Sequence, residues 1–571
     1  MSKIANTVKP FARPLAIVGG VLLIVAALLP WVTFALNSGN YPDRATLQYF
    51  DAPFQVTGFR WHMLLLGVLV LVAVFAPIPS KARVIRSLGW GGLAVALINS
   101  IFITTEGGGL GAITASDGNV AFGGIVGIVA GLAVIFAGTG LGIELPAKWN
   151  IKLARPWAYL VLVVTFAAVL FAVAQTLTAG GQGGPANPYA GGLFLSFLGF
   201  AAGLLTALNG FGLIGWISEL SEKHRAFSVV VLLACALLLP FTNAGSEYWM
   251  TVAANIGIYA ATAIGLNIVV GLAGLLDLGY VAFMGIGAVV AANLSGAAAS
   301  KVGIDLPFPI AAIIAAIIAG IFGAVVGSPT LRVRGDYLAI VTLAFGEIFT
   351  RSAQNNIGGL TNGANAIPGV PPLNLFGKEF NETLSIGSVE LPAGVLYYVL
   401  IVLLVAGVMA IFANLKFSRI GRAWIAIRED EDAARAMGIK TGKAKILAFL
   451  VGATLAGLAG AVFAHKNGTV SYESFKFLES VTLLAAVILG GMGSIPGAVL
   501  GASLLFVLPE KLREFSDYRL MIFGLALVLI MRFRPQGLVP DRHRRAELAG
   551  EDVGGVPVDE VHEHDTKGAT A

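Results

Sequence analysis

The sequence predicts an all-α polytopic membrane protein with about 14–16 transmembrane helices, some of them broken or re-entrant in the second half. Hydrophobic residues make up 57% of the chain and charged residues only 12%, whereas soluble proteins carry about 25% charged residues. The mean hydropathy is +0.84, and many apolar runs approach the ~20 residues that a spanning helix needs. No soluble core of this length buries so much apolar surface, so the surrounding solvent is lipid.

The first half contains seven expected spans, and the first of them is interpreted as a retained helix. It is longer than the apolar region of a cleaved signal peptide, and further spans follow it. The expected spans are Pro14–Leu36, Trp61–Ile78, Ser87–Thr105, Ala121–Ile143, Pro156–Thr178, Gly191–Ile217 and Phe227–Phe241.

The second half adds nine apolar segments, of which Val481–Leu489 and Gly497–Val507 are short enough to be half-helices or a re-entrant pair. The other expected spans are Thr251–Val270, Leu278–Leu294, Phe308–Val326, Tyr337–Thr350, Pro392–Ala413, Ala444–Ala464 and Arg519–Met531.

The loops between spans alternate in charge. Basic residues such as Arg83, Lys148 and Lys223 follow the second, fourth and sixth spans, and the intervening loops are poor in Lys and Arg. The positive-inside rule therefore places the N-terminus in the cytoplasm, and the last span brings Arg532 and Arg534 to the same side. Because the basic residues lie in these loops, the net charge of +5 does not indicate a nucleic-acid partner.

Three regions are expected along the chain. Residues 1–247 form an N-terminal transmembrane extension of about seven helices, and residues 248–540 form a second membrane domain. Residues 541–571 are polar and lack an apolar period, which predicts a disordered cytoplasmic tail.

Glycines are concentrated between Gly265 and Gly287. Any single glycine there has two interpretations, tight helix packing or a break in the helix, but the cluster favours a discontinuous helix whose freed backbone groups line a polar path. Asn267 and Asp277 would be costly facing lipid. The candidate path residues are Asn267, Gly271, Gly274, Asp277, Gly279 and, from a later span, Glu347.

Glu347 lies within an apolar segment, with Arg351 one helical turn later. Two interpretations remain: an i,i+4 ion pair with a structural role, or a charged group that lines the path.

The segment Gly421–Lys445 is the longest charged stretch between spans in the second half. It is interpreted either as a solvated loop or as a short cytoplasmic helix that docks into a partner's groove. For the docking helix we expect four residues to share one face: Trp424, Ile427, Ala434 and Met437.

Several motifs in this half resemble those of branched-chain amino-acid permeases of the LivM type. Residues 267–288, the segment Arg334–Glu347, the loop Gly358–Gly363 and the glycine-rich turn Leu489–Ser494 are similar to family segments and follow in the family's order. The resemblance covers roughly residues 255–540 and does not extend to Met1–Glu247. Asp277 and Tyr280 depart from the Ser and His that are common in relatives, which leaves the substrate open.

The resemblance also gives the charged segment a role. Asp432, Ala433 and Ala434, followed by Gly438, resemble the EAA loop that meets the ATPase in ABC importers, although Asp replaces Glu and the final Leu-Pro is missing. Arg428 is placed in the same coupling set. The implied partners are a second, LivH-like permease, two cytoplasmic ATPases and an extracytoplasmic substrate-binding protein, in the bacterial inner membrane.

The motifs of an enzyme are missing from the sequence. The only Gly-Lys pairs, Gly377-Lys378 and Gly442-Lys443, are not followed by the Ser or Thr of a phosphate-binding loop. We expect a transport subunit with no nucleotide site, cofactor or metal of its own. The alternatives are a urea or amide permease, and an ion-coupled transporter or channel that uses Asp277 or Glu347 as its ion site.

Overall fold

A computed structural model describes residues 9–33, 58–331 and 336–511, apart from short gaps at 117, 143, 150, 152, 179–189, 376 and 387–388, together with isolated residues between 521 and 539. The predicted tail, residues 541–571, and nearly all of the last predicted span, Arg519–Met531, lie outside these residues. The described residues fall into two compact units, one within Met1–Ser246 plus Pro509–Arg519 and the other within Glu247–Leu508 plus Leu520–Ala571.

The first unit is a bundle of apolar helices. Its α-helices are α1 (Ala12–Leu28), α2 (Phe59–Phe75), α3 (Lys81–Glu106), α4 (Gly123–Gly140), α5 (Arg155–Thr178), α6 (Ala190–Phe211), α7 (Leu213–Lys223) and α8 (Arg225–Leu238).

Glycines allow the helices of this unit to approach closely. A Cβ atom on Gly131 of α4 would lie 2.7 Å from the backbone nitrogen of Leu93 in α3. A Cβ on Gly203 of α6 would lie 2.4 Å from the Cα of Gly91, also in α3. Where helices have no hydrophobic driving force between them, such small residues let dispersion contacts hold the bundle.

The predicted span Gly191–Ile217 is wrong at its end. Helix α6 stops at Phe211, and Gly212 adopts a left-handed conformation with φ of 94° before α7 begins. A residue in the left-handed conformation ends a helix, and glycine adopts this conformation at little energetic cost. The segment Leu213–Lys223 is in turn bent by 105° from Arg225–Phe241.

The second unit contains the remaining helices. They are α9 (Glu247–Asn267), α10 (Val281–Leu294), α11 (Phe308–Gly327), α12 (Asp336–Gln354), α13 (Val395–Phe417), α14 (Arg419–Glu429), α15 (Glu431–Ala436), α16 (Thr441–Asn467), α17 (Phe477–Gly490) and, up to Leu508, α18 (Ile495–Lys511).

Helix α16 lies at the centre of this unit. A Cβ on Gly457 of α16 would lie 2.4 Å from the Cβ of Ala319 in α11, and a Cβ on Gly460 would lie 2.0 Å from the backbone oxygen of Met284 in α10. Most of the buried residues of α16 are Ala, Gly or Phe. This composition allows two neighbouring helices to pack against its backbone.

Strands are few in the part of the chain that the structure describes. They form four antiparallel pairs: β1 (Ala115–Ser116) with β2 (Asn119–Val120), β3 (Ile367–Pro368) with β8 (Thr469–Val470), β4 (Asn374–Leu375) with β5 (Lys378–Glu379), and β6 (Leu384–Ile386) with β7 (Val389–Leu391).

The predicted class, an all-α polytopic membrane protein with a broken helix in its second half, is confirmed. Nine helices among the described residues are long and apolar enough to cross a membrane, or ten if the bent pair α7–α8 is one span. Three shorter apolar helices, α2, α10 and α17, accompany them. Helix α12 is not one of the nine, although its sequence predicts a span.

Candidate functional site

The second unit contains a spanning helix that breaks inside the bundle. Helix α9 passes into a π-helical turn, Ile268–Leu272, and regular helix resumes only at Val281. Gly274 has φ of 70°, a conformation that other L-residues adopt at a cost of roughly 1–2 kcal/mol. This glycine therefore breaks the helix, as the sequence predicted for the cluster.

Buried side chains satisfy backbone groups that the break frees. The Leu278 amide donates to Oγ1 of Thr342 at 3.0 Å, and the Val281 amide donates to the hydroxyl oxygen of Ser480 at 3.1 Å. Both hydroxyls are buried. Irregular backbone inside a membrane bundle is stable only where such partners exist, because lipid offers none.

Asp277 lies within the break and is completely buried. Its Oδ1 accepts a hydrogen bond from the Gly279 amide at 2.9 Å. Its Oδ2 has no hydrogen-bond partner among the residues that the structure describes. A buried carboxyl group with an unused oxygen is costly and needs an explanation, such as a ligand that arrives during function.

Gly279 and Tyr280 fix the break against its neighbours. A Cβ on Gly279 would lie 1.9 Å from the backbone oxygen of Thr342, so only glycine allows α12 to pack here. The Tyr280 hydroxyl donates to the backbone oxygen of Gly452 at 2.6 Å. The break is thereby joined to both α12 and α16.

Asn267 joins the last turn of α9 to the glycine-rich turn after α17. Its Nδ2 donates to the backbone oxygen of Ser494 at 3.0 Å, and its Oδ1 accepts from the Gly493 amide at 2.7 Å. Lys416 Nζ donates to the backbone oxygen of Gly493 at 2.9 Å. Asn267 is fully buried. If one of these hydrogen bonds is lost, no solvent molecule replaces it, so the loss is costly.

The charged segment folds as two helices rather than one. Asp430 separates α14 from α15, and its Oδ1 accepts from the amides of Asp432 and Ala433 at 2.9 and 3.0 Å, which caps α15. At the other end, Gly438 has φ of 85° and its amide donates to the backbone oxygen of Arg435. The motif residues thus form one capped turn of helix.

The face predicted for docking on a partner is wrong. Trp424, Ile427 and Ala434 are buried within the chain, and the Trp424 indole donates to the backbone oxygen of Ala444 at 2.7 Å. Met437 is 84% exposed. The helix is interrupted at Asp430. The three buried residues hold the segment against the bundle, whereas the tip, Asp432 to Gly438, is largely exposed except for Ala434.

An ion pair anchors α15 to the central helix. Lys445 Nζ lies 2.6 Å from Glu431 Oε2, and their side chains are 5% and 21% exposed. Removing one member of such a largely buried pair is strongly destabilising, because the other charge is left without compensation. The pair therefore ties α15 to α16.

Arg428 connects the charged segment to the broken helix. Its Nη1 donates to the backbone oxygen of Gly271 at 2.9 Å, and its Cγ lies 2.5 Å from where a Cβ on Gly274 would be. A cavity of about 380 Å³ lies beside this contact. It is lined by Val270, Gly271, Gly274, Leu276, Arg428, Glu429 and Met492. Arg428, which was assigned from the sequence to ATPase coupling, thus contacts Gly271 and Gly274, which were assigned to the translocation path.

Glu347 lies apart from this group, on the outer face of α12. Its Oε1 lies 2.7 Å from Nε of Arg351, and the two side chains are 47% and 67% exposed. The predicted i,i+4 pair is therefore present. It joins two turns of one helix, on the face opposite the one that contacts the break.

Sequence reasoning missed the residues that complete the site from a distance. Thr342 lies within the motif Arg334–Glu347, but nothing local marked its hydroxyl as a partner for the break. Ser480 carried no signal either, since the amide that it binds lies 199 residues away. Lys445 belongs to the charged segment, but nothing in the sequence marked it as the partner of Glu431. Among the described residues no three His, Cys, Asp or Glu side chains are grouped to hold a metal ion.

A broken spanning helix with buried polar partners, contacted by a charged segment outside the spans, fits a membrane transport permease. Its sequence matches the family model for the branched-chain amino acid transport system / permease component over residues 248–531.

Individual relatives agree with this match. The chain is 41% identical to the high-affinity branched-chain amino acid transport system permease protein LivM of Escherichia coli (strain K12) over 330 residues, 56% of this chain and 75% of that protein. It is 40% identical to the LivM protein of Salmonella typhimurium (strain LT2) over 346 residues, 58% of this chain and 79% of that protein. It is also 28% identical to the LivH permease of Salmonella typhimurium over 293 residues, 49% of this chain and 91% of that protein.

The chain therefore belongs to the LivM-type branched-chain amino acid permease family, as the motifs indicated, and is a multi-pass membrane transport subunit. No solved structure matches it significantly.

Proposed function

We propose that this chain is the membrane-spanning permease subunit of an ATP-driven importer for branched-chain or related aliphatic amino acids. It works with a second, LivH-like permease, two cytoplasmic ATPases and an extracytoplasmic substrate-binding protein, in the bacterial inner membrane with both termini in the cytoplasm. The observation that carries the proposal is the contact between Arg428 and the backbone of Gly271. It gives a physical link from an exposed charged segment to a break in a spanning helix.

In this mechanism the ATPases supply the energy and the chain converts it into movement. The exposed tip, Asp432, Ala433 and Gly438, forms the contact with an ATPase, and the buried Ala434 of the same motif holds this tip against the bundle. Closure of the ATPases displaces α15, the Glu431–Lys445 pair moves α16, and Arg428 moves the π-helical turn. The break then opens alternately to the two sides of the membrane. The chain needs no nucleotide site of its own.

The proposed path follows the break. Asn267, Gly271, Gly274, Asp277 and Gly279 line it from α9 to α10. The remaining candidate path residue, Glu347, is left out of this path, because its side chain lies on the outer face of α12 in a pair with Arg351. An aliphatic amino acid carries an ammonium group, and Oδ2 of Asp277 is an acceptor with no partner in the described chain. Opening the break would expose this oxygen to the cargo, where it would replace part of the ammonium's hydration.

A coupling variant tests this proposal in proteoliposomes containing the full importer. We expect Asp432→Trp with Gly438→Val to reduce ATP-driven leucine uptake about ten-fold or more while basal ATP hydrolysis persists, because a β-branched residue at φ of 85° strains the end of α15. The matched control is Arg422→Ala on the exposed side of α14, which should transport normally.

Three results would contradict the proposal: normal uptake in the double variant, leucine uptake driven by an ion gradient without ATP, or transport of urea or short amides in preference to leucine.

A further inference from the structure

Helix α12 has two faces of different character. Its inner face, with Leu338, Thr342 and Thr350 buried, packs against the break and against Phe475, whose backbone oxygen accepts from Thr350 at 3.2 Å. Its outer face leaves Tyr337, Ile340 and Ile348 between 61% and 72% exposed. The Glu347–Arg351 pair lies on this same outer face.

The neighbouring helix α11 shows what a lipid-facing surface looks like in this chain. Ile313, Ile317, Ile321 and Val325 of α11 are between 53% and 61% exposed. They recur every four residues and carry no charge, as a surface surrounded by hydrocarbon requires. α11 is one of the nine helices that are apolar enough to span, whereas α12 is not.

The outer face of α12 does not suit lipid. Glu347 lies seven residues before the end of the helix at Gln354, which is about 10 Å along the axis at 1.5 Å per residue. α12 packs against α10, α11 and α17, so the helix is part of the bundle. Charged side chains inside a membrane face protein or a water-filled cavity, because hydrocarbon does not solvate them.

We propose that the outer face of α12, defined by Ile340, Ala344, Glu347, Ile348 and Arg351, binds the second permease subunit of the importer. The inference rests on the proposed two-permease assembly and adds its location. Ala344 is small and exposed between Ile340 and Ile348, which lets a partner helix approach closely. The exposed ion pair offers both a carboxylate and a guanidinium to polar groups on that helix.

The similarity to LivH supports this choice of occupant. A chain that aligns with 91% of a LivH permease shares its family fold with such a partner. Two related subunits that pair about an approximate two-fold axis present corresponding surfaces to each other. The partner would therefore contribute its own counterpart of α12, and the path that runs along the break would be closed by this contact.

Site-specific photo-crosslinking tests the surface in membranes that contain the complete importer. A benzophenone amino acid replaces Ala344, and the control replaces Ile317 on the lipid-like face of α11. The Ala344 probe should give an adduct with the second permease at least ten-fold more abundant than the Ile317 probe. Adducts of the Ala344 probe only with lipid, with residues of Met1–Ser246 or with a second copy of this chain would overturn the proposal.

A paired substitution gives a second readout that does not depend on the probe. Glu347→Leu combined with Arg351→Leu makes the face apolar, and we expect retention of an affinity-tagged second permease to fall about ten-fold while membrane insertion is unchanged. Unchanged retention would overturn the proposal. If the unaltered importer retains no second permease at all, the proposed assembly itself fails, which separates that failure from an error in the location of the interface.

Discussion

Glycine lets helices pack closely in both units of the chain, and in the second unit it also interrupts a spanning helix inside the bundle. In the first unit Gly131 and Gly203 lie inside regular helices, and each lets a second helix approach its backbone. In the second unit Gly274 has a left-handed conformation and interrupts a spanning helix. The same residue type thus permits close packing at some positions and interrupts a spanning helix at another, and the interrupted helix lies in the unit that carries the family motifs. Composition alone does not separate these roles, because separation depends on whether the backbone stays helical.

The largest expected effect comes from substituting the glycine that breaks the helix. Gly274→Val adds strain at φ of 70° and displaces Arg428, at a combined cost of roughly 2.5–5 kcal/mol. We expect leucine uptake to fall about 100-fold with ATP hydrolysis retained.

The matched variant in the first unit is Gly203→Val, which overpacks α3 and α6. It should lower the free energy of unfolding by about 1–3 kcal/mol and leave uptake per folded molecule nearly unchanged. Thermal unfolding and uptake, measured on the same preparations, compare the two. Equal losses of uptake in both variants would remove the distinction between the units.

Two buried asparagines sharpen the comparison at a smaller scale. Asn99 of α3 donates to the Ser196 hydroxyl at 2.7 Å inside the first unit, while Asn267 ties α9 to the turn after α17. Asn99→Leu should reduce stability by roughly 0.6–1.7 kcal/mol without affecting transport. Asn267→Leu should reduce stability similarly and uptake about ten-fold, because it frees the turn that the break depends on. A transport defect in Asn99→Leu alone would contradict this assignment.

The smallest effect is expected at Glu347 in the isolated subunit. Its pair with Arg351 is an exposed i,i+4 pair, and such pairs contribute about 0.3–0.5 kcal/mol. Glu347→Gln should therefore change the free energy of unfolding by no more than about 0.5 kcal/mol. The free energy of leucine binding should change by less than that. A loss of stability well above ~1 kcal/mol would show that the pair has a larger structural role than its exposure suggests.

The regular parts of the fold were predictable from the sequence. The expected span Phe308–Val326 is observed as Phe308–Gly327, and Pro156–Thr178 as Arg155–Thr178, because a long apolar run in lipid has no alternative to a helix. The end of α6 at Gly212 was not predictable, since a helical and a left-handed glycine look alike in a sequence.

The contacts of the site were only partly predictable. The glycine cluster indicated the break, and Asp432 to Gly438 indicated the turn now seen as α15. The partners Thr342 and Ser480 lie 64 and 199 residues from the groups they bind, beyond any local pattern. The face with Trp424 and Ile427 was assigned to a partner. An amphipathic pattern shows that a face is buried, but it does not show whether the same chain or another chain covers that face.

The link between Arg428 and Gly271 is the central claim, and the number of ATP molecules hydrolysed per leucine transported by an Arg428→Gln variant tests it most directly. A hydrogen bond from a charged group is worth roughly 1.5–3 kcal/mol, so we expect this number to rise at least ten-fold, while the Arg422→Gln control matches the unaltered importer. An unchanged number in a folded Arg428→Gln complex would contradict the account.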